Sequence, residues 1–156
     1  MRLPEILDNI QKSGRGVIGS GYGWNLLHHC SSVGDLLGIE LLLEKGCDPT
    51  GSPDNDYGYY PLHVAAYGGK EDIVQVLLEK GATVDVKDRD GATPLMKATE
   101  KDYPTIVELL LYWGADVEAR DNGGWTAWGR VRWTMGHKEV KQLLQQAKKE
   151  AAGKSK

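Results

Sequence analysis

The sequence has no phenylalanine, only two cysteines and no long apolar run, and its charges nearly cancel. Two cysteines, Cys30 and Cys47, cannot form the disulfide framework of a small secreted domain. They are expected to serve as small buried apolar side chains. No stretch approaches the roughly 20 apolar residues of a membrane span. Met1 to Glu5 do not lead into the apolar segment of a secretory signal. The expected setting is therefore intracellular and cytoplasmic, with nucleus and organelle left open. Nineteen lysines and arginines stand against 22 aspartates and glutamates, for a net charge of −3. That balance lacks the basic excess of a phosphate-driven nucleic-acid binder. Without phenylalanine, the aromatic content rests on seven tyrosines and five tryptophans. Their polar handles suit surfaces as well as cores.

Chemistry is equally sparse. Gly14, Arg15, Gly16, Val17, Ile18 and Gly19 spell a dinucleotide-binding pattern, but it follows a predicted helix, and no βαβ unit surrounds it. No phosphate loop ending in Gly-Lys-Ser/Thr is present. His28, His29 and Cys30 are adjacent on a predicted helix, so they point in different directions, and no second cluster has zinc spacing. No nucleophile, base and orienting residue can be assembled. The expectation is a chain that is not an enzyme and needs no cofactor or metal.

Glycine, by contrast, is abundant at 20 residues, and it is periodic. Gly58, Gly91 and Gly124 are 33 apart, as are Gly81/Gly114, Asp88/Asp121, Pro61/Pro94, Leu62/Leu95, Ile73/Ile106, Leu77/Leu110 and Ala82/Ala115. A fixed period of this length signals stacked structural units. Each unit reads as two short helices. Thr93 before Pro94 is an N-cap followed by proline at the first helical position. Ile73, Val76 and Leu77, and Ile106, Leu109 and Leu110, form the i, i+3, i+4 stripe of a buried face. Gly81 and Gly114 are helix stops. Thr83 to Gly91 is polar and ends in Asp-Gly, a hairpin-like connection.

These motifs resemble the ankyrin repeat. The strongest unit has Tyr60-Pro61-Leu62-His63-Val64-Ala65-Ala66, then Gly69, then Leu77-Leu78-Glu79-Lys80-Gly81-Ala82. The next has Thr93-Pro94-Leu95, then Leu110-Leu111-Tyr112-Trp113-Gly114-Ala115. The resemblance implies an all-α solenoid of stacked helix-turn-helix units with hairpin-like loops. Residues 23–147 would form the repeat domain, as units of about 23–54, 55–87, 88–120 and 121–147. A two-residue insertion falls near Gly51, Ser52 and Pro53, and one extra residue falls near Met135. Residues 1–22 would supply a capping helix, Pro4 to Lys12, and a glycine-rich lead, with 148–156 a frayed basic tail.

No unit carries the family's full Thr-Pro-Leu-His. The four versions begin at Asn25, Tyr60, Thr93 and Thr126. The resemblance makes His28 and His63 structural. Each lost cap costs about 1 kcal/mol, so the array should be less stable than a consensus one. Gly38 replaces an apolar helix residue and should weaken its helix by about 1 kcal/mol relative to alanine.

The resemblance also implies a partner-binding concave face. Its variable positions hold Trp24, Tyr59, Ala92 and Trp125, and adjoining positions add Tyr22, Tyr57, Tyr67, Arg89, Asp90 and Trp133. Aromatics of this kind are what binding hot spots favour. The expected function is binding a protein partner, as a scaffold or adaptor, by a chain that is monomeric unless part of an assembly. The competing readings are a structural subunit buried in a larger assembly and, more remotely, a nucleotide-binding protein using Gly14 to Gly23. Trp128, at a leucine position, is expected in the core. Trp113 is either a second contact site or a lid over the last unit.

Overall fold

Helices of seven to nine residues are too short to persist in water alone, and most helices among the described residues are of that length. The computed structural model describes residues 26–53 and 56–154. It places eight helices there: α1 (Leu26–Val33), α2 (Leu36–Glu44), α3 (Pro61–Tyr67), α4 (Glu71–Glu79), α5 (Pro94–Glu100), α6 (Pro104–Tyr112), α7 (Ala127–Val131) and α8 (Lys138–Lys154). No strand occurs among the described residues. The fold is all-α. Tyr22, Trp24, the segment Pro4 to Lys12 and the stretch Gly14 to Gly23 lie outside the described residues.

The helices stack in two rows. The first helices of the units, α1, α3, α5 and α7, contact one another in order, and the second helices, α2, α4, α6 and α8, form the row behind. The apolar period explains the stacking. Leu27, Leu62 and Leu95 are buried one per unit in the first row, and Leu42, Leu77, Leu110 and Leu144 in the second. Ala65, Ala66 and Ala98 are wholly buried and let the rows approach closely. Trp128, in the leucine register, is half-buried and packs against this core.

Each second helix but the last closes in the same way. In the unit ending at Gly81, the Gly81 N–H donates to the Leu78 carbonyl and the Ala82 N–H to the Leu77 carbonyl. Gly46, Gly81 and Gly114 have φ of 87°, 97° and 86°, the left-handed conformation that glycine adopts without penalty. The backbone register also locates the later insertion. Lys70, Tyr103 and His137 each accept at their carbonyl the first amide of the following helix, from Val74, Val107 and Lys141. Steps of 33 and then 34 residues put one extra residue in the turn that exposes Met135.

Two expectations need correcting. The segment after Ala147 is helical through Lys154, so it is no frayed tail over that stretch. Lys148, Lys149, Glu150, Ala151 and Ala152 are all good helix formers, and no glycine intervenes before Gly153. Gly38 is also no simple weakness. The Asp35 carboxylate caps α2 by accepting the Gly38 N–H at 2.9 Å. A Cβ on Gly38 would lie 2.5 Å from Asp35 Oδ2 and 2.8 Å from the Sγ of buried Cys30. The missing side chain is what admits the cap. Burial, reinforced by the Asp35 carboxylate, pushes the Cys30 thiol up to about 11, so it stays a neutral packing group.

Alanine at position 38 would improve helix propensity by about 1 kcal/mol. It would also displace a cap worth about 1 kcal/mol and crowd a buried sulfur. Gly38→Ala is therefore expected to lower the melting temperature. A rise of several degrees in thermal denaturation would show that propensity dominates.

Candidate interaction surface

The loops between units build one edge of this surface. In the best-formed loop the Asp88 N–H donates to the Ala92 carbonyl and the Gly91 N–H to the Asp88 carbonyl, at 3.0 Å each. Asp88 Oδ1 accepts the amides of Asp90 and Ala92, at 3.0 and 2.8 Å. Asp121 repeats the arrangement, accepting from Gly123 and Trp125 at 2.9 and 2.8 Å. Neighbouring loops are laced together. The Arg89 N–H donates to the Tyr57 carbonyl at 2.9 Å and the Asn122 N–H to the Asp90 carbonyl at 2.8 Å.

The first helices are tied to the loops of the next unit. His28 Nε2 donates to the Tyr59 carbonyl at 2.6 Å, and His63 Nε2 donates to the Ala92 carbonyl at 2.9 Å. The Tyr60 N–H donates to His63 Nδ1, which fixes the neutral tautomer. Tyr60 thus supplies no side-chain cap, yet its amide is satisfied. Thr93 and Thr126 cap α5 and α7 through the amides of Met96 and Gly129.

On this frame the predicted aromatic site residues that are described fall into three groups. Tyr57 is 64% exposed, and its ring centroid is 5.4 Å from that of Tyr59. Tyr59 stacks on His63, and Lys97 Nζ sits 4.8 Å from its ring centre. Tyr67, at the end of α3, carries Lys101 Nζ 4.2 Å over its ring. Trp125 and Trp133, 49% and 80% exposed, share the Arg132 guanidinium at 6.0 and 4.9 Å. Each group pairs an aromatic ring with a cation. Arg89 and Asp90 are exposed at a loop tip, but Arg89 is engaged there, its Nη1 donating to the Asp56 carbonyl at 2.7 Å. Their backbones brace the loop ladder.

Sequence reasoning missed Lys97, Arg130 and Arg132. Lys97 is 6% exposed and meets Asp88 Oδ2 at 2.8 Å. Burial alone would lower its pKa, but the Asp88 carboxylate outweighs that and the net direction is upward. Arg130 Nε meets Asp121 Oδ2 at 3.0 Å, and Arg130 also binds Glu100. Burial works to raise the Asp121 pKa, but the Trp125 amide and Arg130 outweigh it, so the carboxyl is held below its ordinary value. The signal was present. Asp88/Lys97 and Asp121/Arg130 are both nine residues apart, and the two pairs are one period apart. Such a pair turns the loop aspartate into a joint between loop and first helix.

No group of three or more histidines, cysteines or acids among the described residues could hold a metal ion. No helix among them is long and apolar enough to cross a membrane. Trp113 is 40% exposed and packs edge-on against Tyr112, behind the first-helix row.

A family model described as ankyrin repeats, in three copies, matches residues 27–121, more than half of the chain. The chain is 42% identical over 65 residues to a mouse 2-5A-dependent ribonuclease, covering 42% of this chain and 9% of that protein. It is 40% identical over 79 residues to the fruit-fly E3 ubiquitin-protein ligase Ufd4, covering 51% of this chain and 3% of the ligase. It is 38% identical over 53 residues to an ankyrin repeat-containing protein of Schizosaccharomyces pombe, covering 34% and 25%. The chain thus spans a quarter or less of these relatives' lengths, and the activities in their names belong to those whole proteins.

Breaking a buried ion pair on one side leaves an uncompensated charge and costs about 3–5 kcal/mol, whereas neutralising both sides costs less. Lys97→Met should destabilise the array by about 3 kcal/mol. The double variant Asp88→Asn/Lys97→Met should recover a substantial part of that loss in urea denaturation. Equal stability of single and double variants would show that the loss does not come from a stranded Asp88 charge. The acid side is separable. Because the folded Asp121 pKa is depressed, its stabilisation is present above the ordinary aspartate value and lost as pH falls through the lower folded one. Asp121→Asn should therefore destabilise at neutral pH and converge on the parent chain as pH falls below the depressed folded pKa, in urea denaturation followed against pH.

Proposed function

Because the chain belongs to the ankyrin repeat family, whose repeats are generally protein–protein interaction modules, we propose that it grips a protein partner on the face made by its loops and first helices. One observation carries the reading. Tyr57, Tyr67, Trp125 and Trp133 are exposed large aromatics in the loops and at the ends of the first helices, and cations lie over Tyr59, Tyr67, Trp125 and Trp133. Aromatic and arginine side chains in such a setting are those that dominate binding energy when covered. Tyr22 and Trp24 extend the set by their register in the sequence. In this reading Arg89 and Asp90 supply charge selectivity, and Lys101 and Arg132, lying over Tyr67 and Trp133, add to it. The chain itself is a non-catalytic adaptor, cytoplasmic and monomeric when free, and binds neither nucleic acid nor membrane.

A permanent subunit role is the second reading. Trp133 and Met135 are 80% and 96% exposed in one short turn at the end of the array, an unusual amount of apolar surface to leave in water. A soluble, monodisperse monomer across a wide concentration range in sedimentation analysis would rule against an obligate subunit.

With the partner identified by affinity purification, Trp24→Ala, Tyr59→Ala and Trp133→Ala should each weaken binding about tenfold or more, about 1.4 kcal/mol each. The measurement is titration calorimetry, with unchanged helicity as the folding control. Unchanged affinity in all three folded variants would overturn the proposal.

A further inference from the structure

Behind the first-helix row, the second helices are not matched in length. Helix α6 ends at Tyr112, where Gly114 turns the chain, while α8 runs 17 residues to Lys154 against nine in α6. At 1.5 Å per residue the difference is about 12 Å, or two turns. An open cleft of about 480 Å³ lies between α8 and the end of α6, and it extends to Glu150 and Ala151 in those turns.

The cleft has a defined chemistry. Leu111 from α6 and Leu143 and Ala147 from α8 are half-buried along it, and Tyr112, 83% exposed, stands at the rim. Its charged lining residues are Glu108, Asp116 and Glu150, all carboxylates and all exposed, and no lysine or arginine lines it. Lys148, on the adjoining face of α8, is engaged by Glu118 at 3.1 Å. The carboxylates do not form a metal-holding group. They frame an apolar trough with fixed negative charge.

We propose that this cleft is a second docking surface, separate from the loop face, and that it takes a short amphipathic helix of a partner bearing lysine or arginine. The fit is one of charge and shape. Glu108, Asp116 and Glu150 attract cations at the edges. Leu111, Leu143 and the small Ala147 accept an apolar stripe at close approach along the exposed turns of α8, the helix-in-groove mode of recognition. The occupant would continue the second-helix row where α6 leaves off.

The probe is a synthetic amphipathic helix of about 16 residues, long enough to be helical, with leucine and alanine on one face and lysine on the other. Titrated into the isotopically labelled full chain, it should shift the amide resonances of Leu111, Ala115 and Ala147 saturably. Glu108→Lys/Glu150→Lys should weaken binding about tenfold or more. Tyr59→Ala on the loop face, and the control Glu71→Lys/Glu79→Lys with the same change in net charge, should leave it unaltered. Several outcomes would overturn the proposal. They are equal binding of a glutamate-bearing version of the peptide, equal loss in the control, or shifts confined to the loop face. Concentration-dependent dimerisation that perturbs the cleft without peptide would assign it to a second copy of the chain instead. The partner-binding role of the loop face has its own test in the Trp24, Tyr59 and Trp133 variants, so failure of the cleft is distinguishable from failure of that face.

Discussion

Two of the unit-to-unit junctions in this array are held by a buried histidine that reaches forward to a backbone carbonyl of the next loop. His28 reaches the loop at Tyr59, and His63 the loop at Ala92. The histidines are wholly buried, so leaving either nitrogen unsatisfied would cost more than the bond gains. The loop must therefore sit where the imidazole can find it. That placement fixes Tyr59 and, through the loop ladder, Tyr57 and Arg89. Helices this short are stable only as neighbours, and the forward bonds make stacking specific as well as apolar.

The loop aspartates form the second half of the joint. Asp88 and Asp121 each spend one oxygen on the loop's own amides and the other on a cation of the first helix. Backbone conformation and helix position are thereby coupled through one side chain. The cation does double duty in the Asp88 unit, where Lys97 also lies over Tyr59. Surface aromatics held in this way are ordered before any partner arrives, which reduces the entropy lost on binding.

Much of this was legible from spacing. The 33-residue period revealed the helix pairs, the glycine stops and the extra residue near Met135, because buried leucines and left-handed turns tolerate few alternatives. The structural histidines followed from the resemblance. What escaped were features that depend on distance across the stack. Lys97 and Arg130 look like solvated helix residues until the loop aspartate is seen beside them. Gly38 looks like a helix defect until Asp35 and Cys30 occupy the space its side chain would need. The extended α8 was missed because its lysines suggested a tail, although their helix propensity is high.

The substitution of methionine for histidine at position 96 has a further consequence. Met96 is buried but carries no forward bond to the loop of the last unit. That junction relies instead on Arg130 with Glu100, on His137 reaching the Glu100 carbonyl, and on the Asn122 contacts, nearly all at the surface. In a quasi-one-dimensional stack each junction is held only by its own neighbours, and this one lacks the buried forward bond of the two before it. Trp125 and Trp133 lie on one side of the junction, and Tyr59 and Tyr67 on the other. A ligand that bridges them would act as a splint, converting association free energy into resistance of the last unit to fraying.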